Sequence, residues 1–142
     1  MMRKIAYFWI VFFALVLNGC SLGDDASNFH FEALRITDAE LPDSFELNET
    51  YEINVHYVLQ NGCTSFEGFD FVREDTTVRN VTAIGSVRTD ENLCTQAIIE
   101  GETSFSFVVL YDQPYVFRFF QGENDNGERE YLEITVPVIR IN

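Results

Sequence analysis

Two histidines, His30 and His56, are the side chains in this sequence best suited to acid–base chemistry near neutral pH. Both fall on the polar side of predicted strands, where an imidazole is ordinarily exposed to solvent. Glu128 and Glu130 form a carboxylate pair that could act on a sugar, but they flank a turn without an aromatic platform. There is no nucleophile elbow, no His-Glu-x-x-His zinc motif and no glycine-rich phosphate loop. The sequence therefore predicts no catalytic residue; the alternative, an enzyme with an unfamiliar site, requires His30 or His56 in a cleft beside a carboxylate.

The acidic segment 123–128 is the best candidate for a binding site. If Gly127 takes the sixth position of a calcium loop, the first position falls on Gly122, which has no side-chain oxygen. The dipeptide Asn126-Gly127 is also typical of a tight β-hairpin. We therefore predict a hairpin here, with weak calcium binding as the alternative through three carboxylates: Glu123, Asp125 and Glu128.

The first residues have the pattern of an export signal. Arg3 and Lys4 form a basic segment, and an uninterrupted apolar run occupies 5–17. A helix of that length rises about 20 Å, which is too short to span a bilayer core of about 30 Å. A basic segment followed by a short apolar run is typical of a secretory signal peptide. The sequence predicts that residues 1–19 are a leader.

The end of this leader, Leu17-Asn18-Gly19-Cys20, resembles the lipobox of bacterial lipoproteins. The resemblance implies that Cys20 carries a covalent lipid, with cleavage immediately before it. Residues 20–28 then form a small, polar, lipidated tether. The acidic pair Asp24 and Asp25 has two interpretations: it keeps the tether solvated, or it resembles the surface-export tag of Bacteroidetes lipoproteins.

With Cys20 assigned to the lipid, Cys63 and Cys94 remain as an even pair in an exported protein. Disulfides persist outside the cytoplasm, so we predict a bond between the two. A metal site and a redox centre are the alternatives, but four zinc ligands and a Cys-x-x-Cys motif are both lacking.

The composition describes an acidic protein with a substantial apolar core. Hydrophobic residues make up 46% of the chain and aromatic residues 15%, which favours strands over helices. Removing the leader, which has Arg3 and Lys4 and no acid, takes the net charge from −14 to −16. Such a chain repels phosphate groups, so nucleic acid is excluded as a partner. The acidity serves solubility or offers a surface to cations or basic partners.

From residue 29 onward, period-two alternation indicates strand after strand and no helix. Tyr51, Ile53, Val55 and Tyr57 alternate with polar residues, and the short segment 95–100 is predicted to be an edge strand. Pro137 lacks a backbone donor and indicates an edge or a bulge within the last strand. The predicted strands are 29–36, 51–57, 66–72, 78–87, 95–100, 105–111, 115–120 and 131–141.

The passage 104–138 resembles the last three strands of an immunoglobulin-like or fibronectin type III-like domain. A Tyr-x-Phe-x-Phe strand, beginning at Tyr115, follows a short turn and is joined to the closing strand by a glycine-containing hairpin. This resemblance implies an all-β, antiparallel Greek-key sandwich of about seven or eight strands over residues 29–142. The whole chain resembles the small single-domain lipoproteins of flavobacteria and other Bacteroidetes, a resemblance that implies no activity.

These observations predict a non-enzymatic interaction or accessory module of the cell envelope. It would contact the membrane through the lipid on Cys20 and bind a protein or glycan partner, without a cofactor. The predicted location is the outer membrane, at the cell surface or facing the periplasm. The alternative is a calcium-stabilised structural domain of an envelope assembly.

Overall fold

The computed structural model describes residues 28–90 and 93–140. The predicted leader and Cys20 lie outside these ranges, as does the predicted tether up to residue 27. Within the described ranges, no helix is long and apolar enough to cross a membrane. The strands are β1 (Phe29–Glu40), β2 (Phe45–Glu46), β3 (Thr50–Leu59), β4 (Thr64–Arg73), β5 (Val78–Arg88), β6 (Ile99–Val108), β7 (Tyr115–Glu123), β8 (Arg129–Val136) and β9 (Val138–Ile139).

Seven of these strands form one sheet that folds into two facing layers. The order is β6-β3-β1-β5-β7-β8, and β4 pairs with β5 as well. β1 joins the layers, because Phe29–Leu34 pairs with β5 whereas Arg35–Glu40 pairs with β3. Side chains of the two layers meet in ring contacts, such as Tyr57–Phe66 at 4.7 Å between centroids. The predicted all-β class is confirmed, and the arrangement resembles a sandwich.

Two strand pairs run parallel, so the prediction of a wholly antiparallel architecture is wrong for them. β5 pairs with β7 from Val78↔Val116 to Val81↔Phe119, and β2 pairs with β9. A parallel pair requires a crossover between its strands. After β5 the chain crosses to the other layer, where β6 pairs with β3, and it then returns to form β7. The segment that contains β6 is therefore the crossover.

The alternating residues of the sequence form the core as predicted. Ile53 and Val55 of β3 are fully buried, whereas Glu52, which precedes Ile53, is exposed and Asn54, which lies between the two, is half-buried. The largest fully buried side chains are contributed by both layers and by the loops between them: Tyr115, Phe45, Phe117, Phe119, Leu34, Ile36, Ile53, Val55, Val81, Val109 and Val136.

The structure merges two of the predicted strands and divides another. The predicted strands 95–100 and 105–111 are one strand, β6, which begins at Ile99 and continues through Gly101. β6 lies at the edge of the sheet, which is the position predicted for the segment 95–100. The predicted last strand is divided at Pro137, whose carbonyl accepts a hydrogen bond from Phe45 N (2.9 Å) and so starts the β2–β9 pair.

Tyr115 fixes the turn that leads into β7. Its side chain is fully buried, and its hydroxyl accepts hydrogen bonds from the backbone N–H groups of Leu110 and Tyr111, both at 3.1 Å. Its ring packs edge-on against Phe107 of β6, with 5.0 Å between the centroids. Tyr115 therefore satisfies two turn donors and joins the two layers.

Candidate functional site

Cys63 and Cys94 form the predicted disulfide, with their Cα atoms 5.4 Å apart. Cys63 lies in the turn between β3 and β4, and its backbone N–H donates to the side-chain oxygen of Asn61 (2.9 Å). The neighbouring Gly62 N–H donates to the carbonyl of Thr95 (2.9 Å), so the same two segments are also joined by a backbone bond. The disulfide links this turn to the segment that precedes β6.

The acidic segment 123–128 closes a hairpin, as predicted: Glu123 is the last residue of β7, and the loop follows it. Asn124 organises it: the side-chain oxygen accepts from the N–H groups of Asn126 and Glu128, both at 3.0 Å. Gly127 supplies the left-handed backbone conformation, with φ of 77°. The Asn124 amide also donates to the Glu128 carboxylate at 3.0 Å.

Within 28–90 and 93–140, no group of three or more His, Cys, Asp or Glu side chains converges as metal ligands would. Glu123, Asp125 and Glu128 lie along this segment, and all three side chains are exposed. Weak calcium binding by these three carboxylates stays an untested alternative.

The two histidines have different surroundings. His30 is exposed on β1. His56 is half-buried on β3, and its Nε2 lies 3.8 Å from a carboxylate oxygen of Glu40, too far for a hydrogen bond. His56 lines a surface depression of about 240 Å³ together with Thr37, Asp38, Tyr57, Glu100 and Gly101. A His–carboxylate pair can exchange a proton, and the enzyme alternative would have to use this depression.

A more apolar opening lies between the two layers, where the edge strands β4 and β6 face each other. It encloses about 200 Å³. Phe71 and Phe105 meet at its mouth with 4.8 Å between centroids, and Phe107 and Phe117 meet deeper at 4.9 Å. Phe71 is 47% exposed, whereas Phe117 is fully buried. We call this opening the β4–β6 cleft and define it by its lining residues: Phe71, Arg79, Phe105, Ser106, Phe107 and Phe117.

Arg79 gives the β4–β6 cleft a fixed positive charge. Its guanidinium donates to the carbonyls of Asp75, Thr76 and Val78, each at 3.0 Å. It also lies 5.5 Å from the centre of the Tyr115 ring, within range of a cation–π contact. Partial burial lowers the pKa of Arg79, but an arginine starts so far above neutrality that it stays charged. The cleft therefore combines aromatic walls with a cation that is held in place.

A second guanidinium–aromatic pair lies at the neighbouring turns. Arg73, the last residue of β4, lies 5.4 Å from the centre of the Tyr111 ring and donates to the Tyr111 hydroxyl at 3.2 Å. Its Nε donates to the carbonyl of Asp75 at 3.3 Å. The loop after β4 is thus attached to the turn before β7.

Sequence reasoning missed the β4–β6 cleft, although alternation places the phenylalanines of each strand on one face. The local pattern does not show how the two layers face each other. That arrangement depends on β1 changing its partner strand from β5 to β3. Comparison with known proteins supplies no relative to guide the assignment, since no family model, no curated protein and no solved structure matches the chain.

Proposed function

We propose that this protein is a non-enzymatic lipoprotein of the cell envelope that acts as an interaction or accessory module. The β4–β6 cleft is its binding surface, and this cleft is the single observation that carries the proposal. An aromatic-lined opening with a few fixed polar groups is the usual form of a recognition site. The lipobox-like sequence ending at Cys20 supports anchoring to the outer membrane, at the cell surface or facing the periplasm. The disulfide is in keeping with an oxidising compartment.

An extended polypeptide is the partner that fits the β4–β6 cleft best. In the described part of the sheet, β4 pairs only with β5 and β6 pairs only with β3, so each has one unpaired edge beside the cleft. A bound chain can add main-chain hydrogen bonds at such an edge while its side chains enter the aromatic opening. A glycan would use the rings and Arg79 but not these edges.

The classification as an immunoglobulin-like or fibronectin type III-like sandwich is part of the proposal. Two features support it: β7 and β8 form an antiparallel hairpin, and the Tyr115 hydroxyl is bonded to the backbone just upstream, as in the tyrosine corner of such domains. The parallel pairing of β5 with β7 departs from that pattern.

Site-specific photo-crosslinking in intact cells tests the binding surface. A photoreactive residue replaces Phe71 in one strain and Ile139 in a matched control, since these side chains are 47% and 44% exposed. The proposal predicts a discrete adduct from position 71 and none from position 139, identified by mass spectrometry. The same adducts from both positions, or none from either, would contradict it.

Protease shaving of intact cells tests the location. Digestion of the protein before lysis would place it at the cell surface. Protection until the outer membrane is permeabilised would place it in the periplasm, where the partner would belong to an envelope assembly. Recovery in the cytoplasmic fraction would contradict the proposal.

A further inference from the structure

Two neighbouring phenylalanines at the start of β1 face solvent instead of the core. Phe29 is 45% exposed and Phe31 64%, and their rings meet edge-on with 5.3 Å between centroids. Leu34 and Ile36, which have the opposite parity along β1, are buried. Phe29 and Phe31, which we call the tether-proximal pair, therefore lie on the outer face of the sheet. Isolated exposed apolar residues are common, but two rings in contact leave a continuous apolar surface in water.

The tether-proximal pair borders a depression that carries both signs of charge. In the register of β1 and β5, Arg88 lies opposite Phe29 and Ser86 lies opposite Phe31. Arg88 is paired with Asp90 (3.4 Å), and the Ser86 hydroxyl donates to the Glu67 carboxylate at 2.5 Å. The depression encloses about 310 Å³, and its lining is completed by Asn28.

The position of the pair along the chain indicates what covers it. This step rests on the proposed function, because it requires the lipid on Cys20. Phe29 follows Cys20 by nine positions, which reach at most about 30 Å even when fully extended. An acylated Cys20 therefore keeps the tether-proximal pair within that distance of the bilayer surface. Such confinement raises the effective concentration of membrane at this face far above that at any other.

We infer that the tether-proximal pair docks on a phospholipid bilayer with zwitterionic headgroups. The two rings enter the interface between headgroups and acyl chains, where aromatic side chains are favoured. The phosphate of a headgroup approaches the Arg88 guanidinium, and its ammonium approaches Asp90, Glu67 and the ring faces. Anionic lipids are disfavoured, because the mature chain has a predicted net charge of −16 once the leader, with Arg3 and Lys4, is removed from a precursor of −14.

A tryptophan reporter tests this docking in the lipidated protein. The precursor has one tryptophan, Trp9, which belongs to the predicted leader, so a single substitution gives the mature chain a unique fluorophore. Phe31→Trp reports on the tether-proximal pair, and Phe29→Trp is a second reporter should the first variant fold poorly. Phe71→Trp is the matched control, since Phe71 is 47% exposed and lies in the β4–β6 cleft. Each variant is purified from membranes with its lipid and reconstituted into phosphatidylcholine vesicles with or without brominated acyl chains.

Docking predicts that Phe31→Trp emission shifts to shorter wavelength on vesicles and loses intensity with brominated lipid, while Phe71→Trp emission does neither. Unquenched emission from a protein that floats with the vesicles would overturn the docking alone. A blue shift without bromine quenching would also overturn it, because the pair would then be covered by protein. A protein that does not float would overturn the lipid anchor and the docking together.

Discussion

A methyl group added at Gly101 would collide with an aromatic ring. A Cβ atom there would lie 2.5 Å from the Tyr57 ring, which pairs with Gly101 across β3 and β6. The ring is stacked on Phe66 at 4.7 Å and cannot easily move away. We expect Gly101→Ala to lower the free energy of unfolding by roughly 1–3 kcal/mol, the usual cost of overpacking. Urea denaturation followed by circular dichroism measures it.

The control for Gly101→Ala is the same substitution in a Tyr57→Ala background. Without the ring, alanine should be tolerated as well as glycine, because the interaction is confined to this one pair. An equal loss of stability in both backgrounds would show that the Tyr57 ring is not the cause.

Glu52 makes the stability of the β3–β6 pair depend on pH. The hydroxyls of Ser106 and Ser104 donate to its carboxylate, and these hydrogen bonds lower the pKa of Glu52 from its ordinary value of about 4.5. Since the folded-state pKa is the lower one, the stabilisation is present above the ordinary value and is lost as the pH falls through the folded-state value. We expect Glu52→Gln to be less stable than the parent protein at pH 7, with the difference disappearing in acid.

Unfolding measured from pH 7 down to pH 2 tests this expectation. The double variant Ser104→Ala/Ser106→Ala keeps the carboxylate and removes its donors, so it should reproduce the altered pH dependence of Glu52→Gln. A parent and a Glu52→Gln protein with parallel stability curves over this range would rule out the effect.

At the scale of the elements, the disulfide reinforces the contact between the β3–β4 turn and the segment before β6, which a backbone hydrogen bond from Gly62 to Thr95 also joins. Cys63 and Cys94 are separated by 31 positions. Closing a loop of that length restricts the unfolded chain and contributes about 3–4 kcal/mol in the chain-entropy model. We expect Cys63→Ser/Cys94→Ser to lose about that much stability, measured by urea denaturation.

Urea denaturation in the presence of a reducing agent provides the control for the disulfide. The reducing agent should destabilise the parent protein and leave the double serine variant unchanged. A parent protein whose urea midpoint is insensitive to reduction would show that the bond contributes nothing.

The hairpin between β7 and β8 is closed by its own side chains. Because Asn124 already binds the backbone of the loop and the Glu128 carboxylate, calcium has no preformed set of oxygens to occupy. We expect the melting temperature to be the same with millimolar calcium as with a chelator. A ligand that binds only the folded state must raise the midpoint, so a calcium-dependent rise would establish the alternative function.

Local patterns predicted the individual strands well because alternation directly reports which side chains face a core. The alternation of Tyr51 to Tyr57 matches β3, and the Asn126-Gly127 pair matches the hairpin. The same patterns misplaced the start of β6, since a glycine at position 101 ordinarily weakens a strand. Here the Tyr57 ring packs over Gly101. That contact depends on the register between β3 and β6, which the sequence of neither strand shows by itself.

At the scale of the molecule, the features on which the proposed function depends were the least predictable from the sequence. The β4–β6 cleft exists because β1 leaves β5 at Leu34, joins β3 at Arg35 and so turns one layer over the other. His56 approaches Glu40 for the same reason, as the two strands pair only in that half of β1. Both arrangements depend on long-range pairing, whereas the sequence patterns extend over a few residues.

In the proposed function, the whole molecule is an acidic β-strand domain that is held at a membrane by one end. The tether-proximal pair lies at that end. The two surfaces lie at different positions along β5, because Phe31 pairs with Ser86, whereas Phe71 of the β4–β6 cleft pairs with Val81. A domain docked through the first surface therefore leaves the second available to a partner.

Intact-mass spectrometry of the protein extracted from membranes tests the central claim most directly. The account predicts a polypeptide that begins at Cys20, carries diacylglycerol on that cysteine and has Cys63 and Cys94 oxidised. A polypeptide that begins at Met1, or one whose Cys20 is unmodified, would contradict the account.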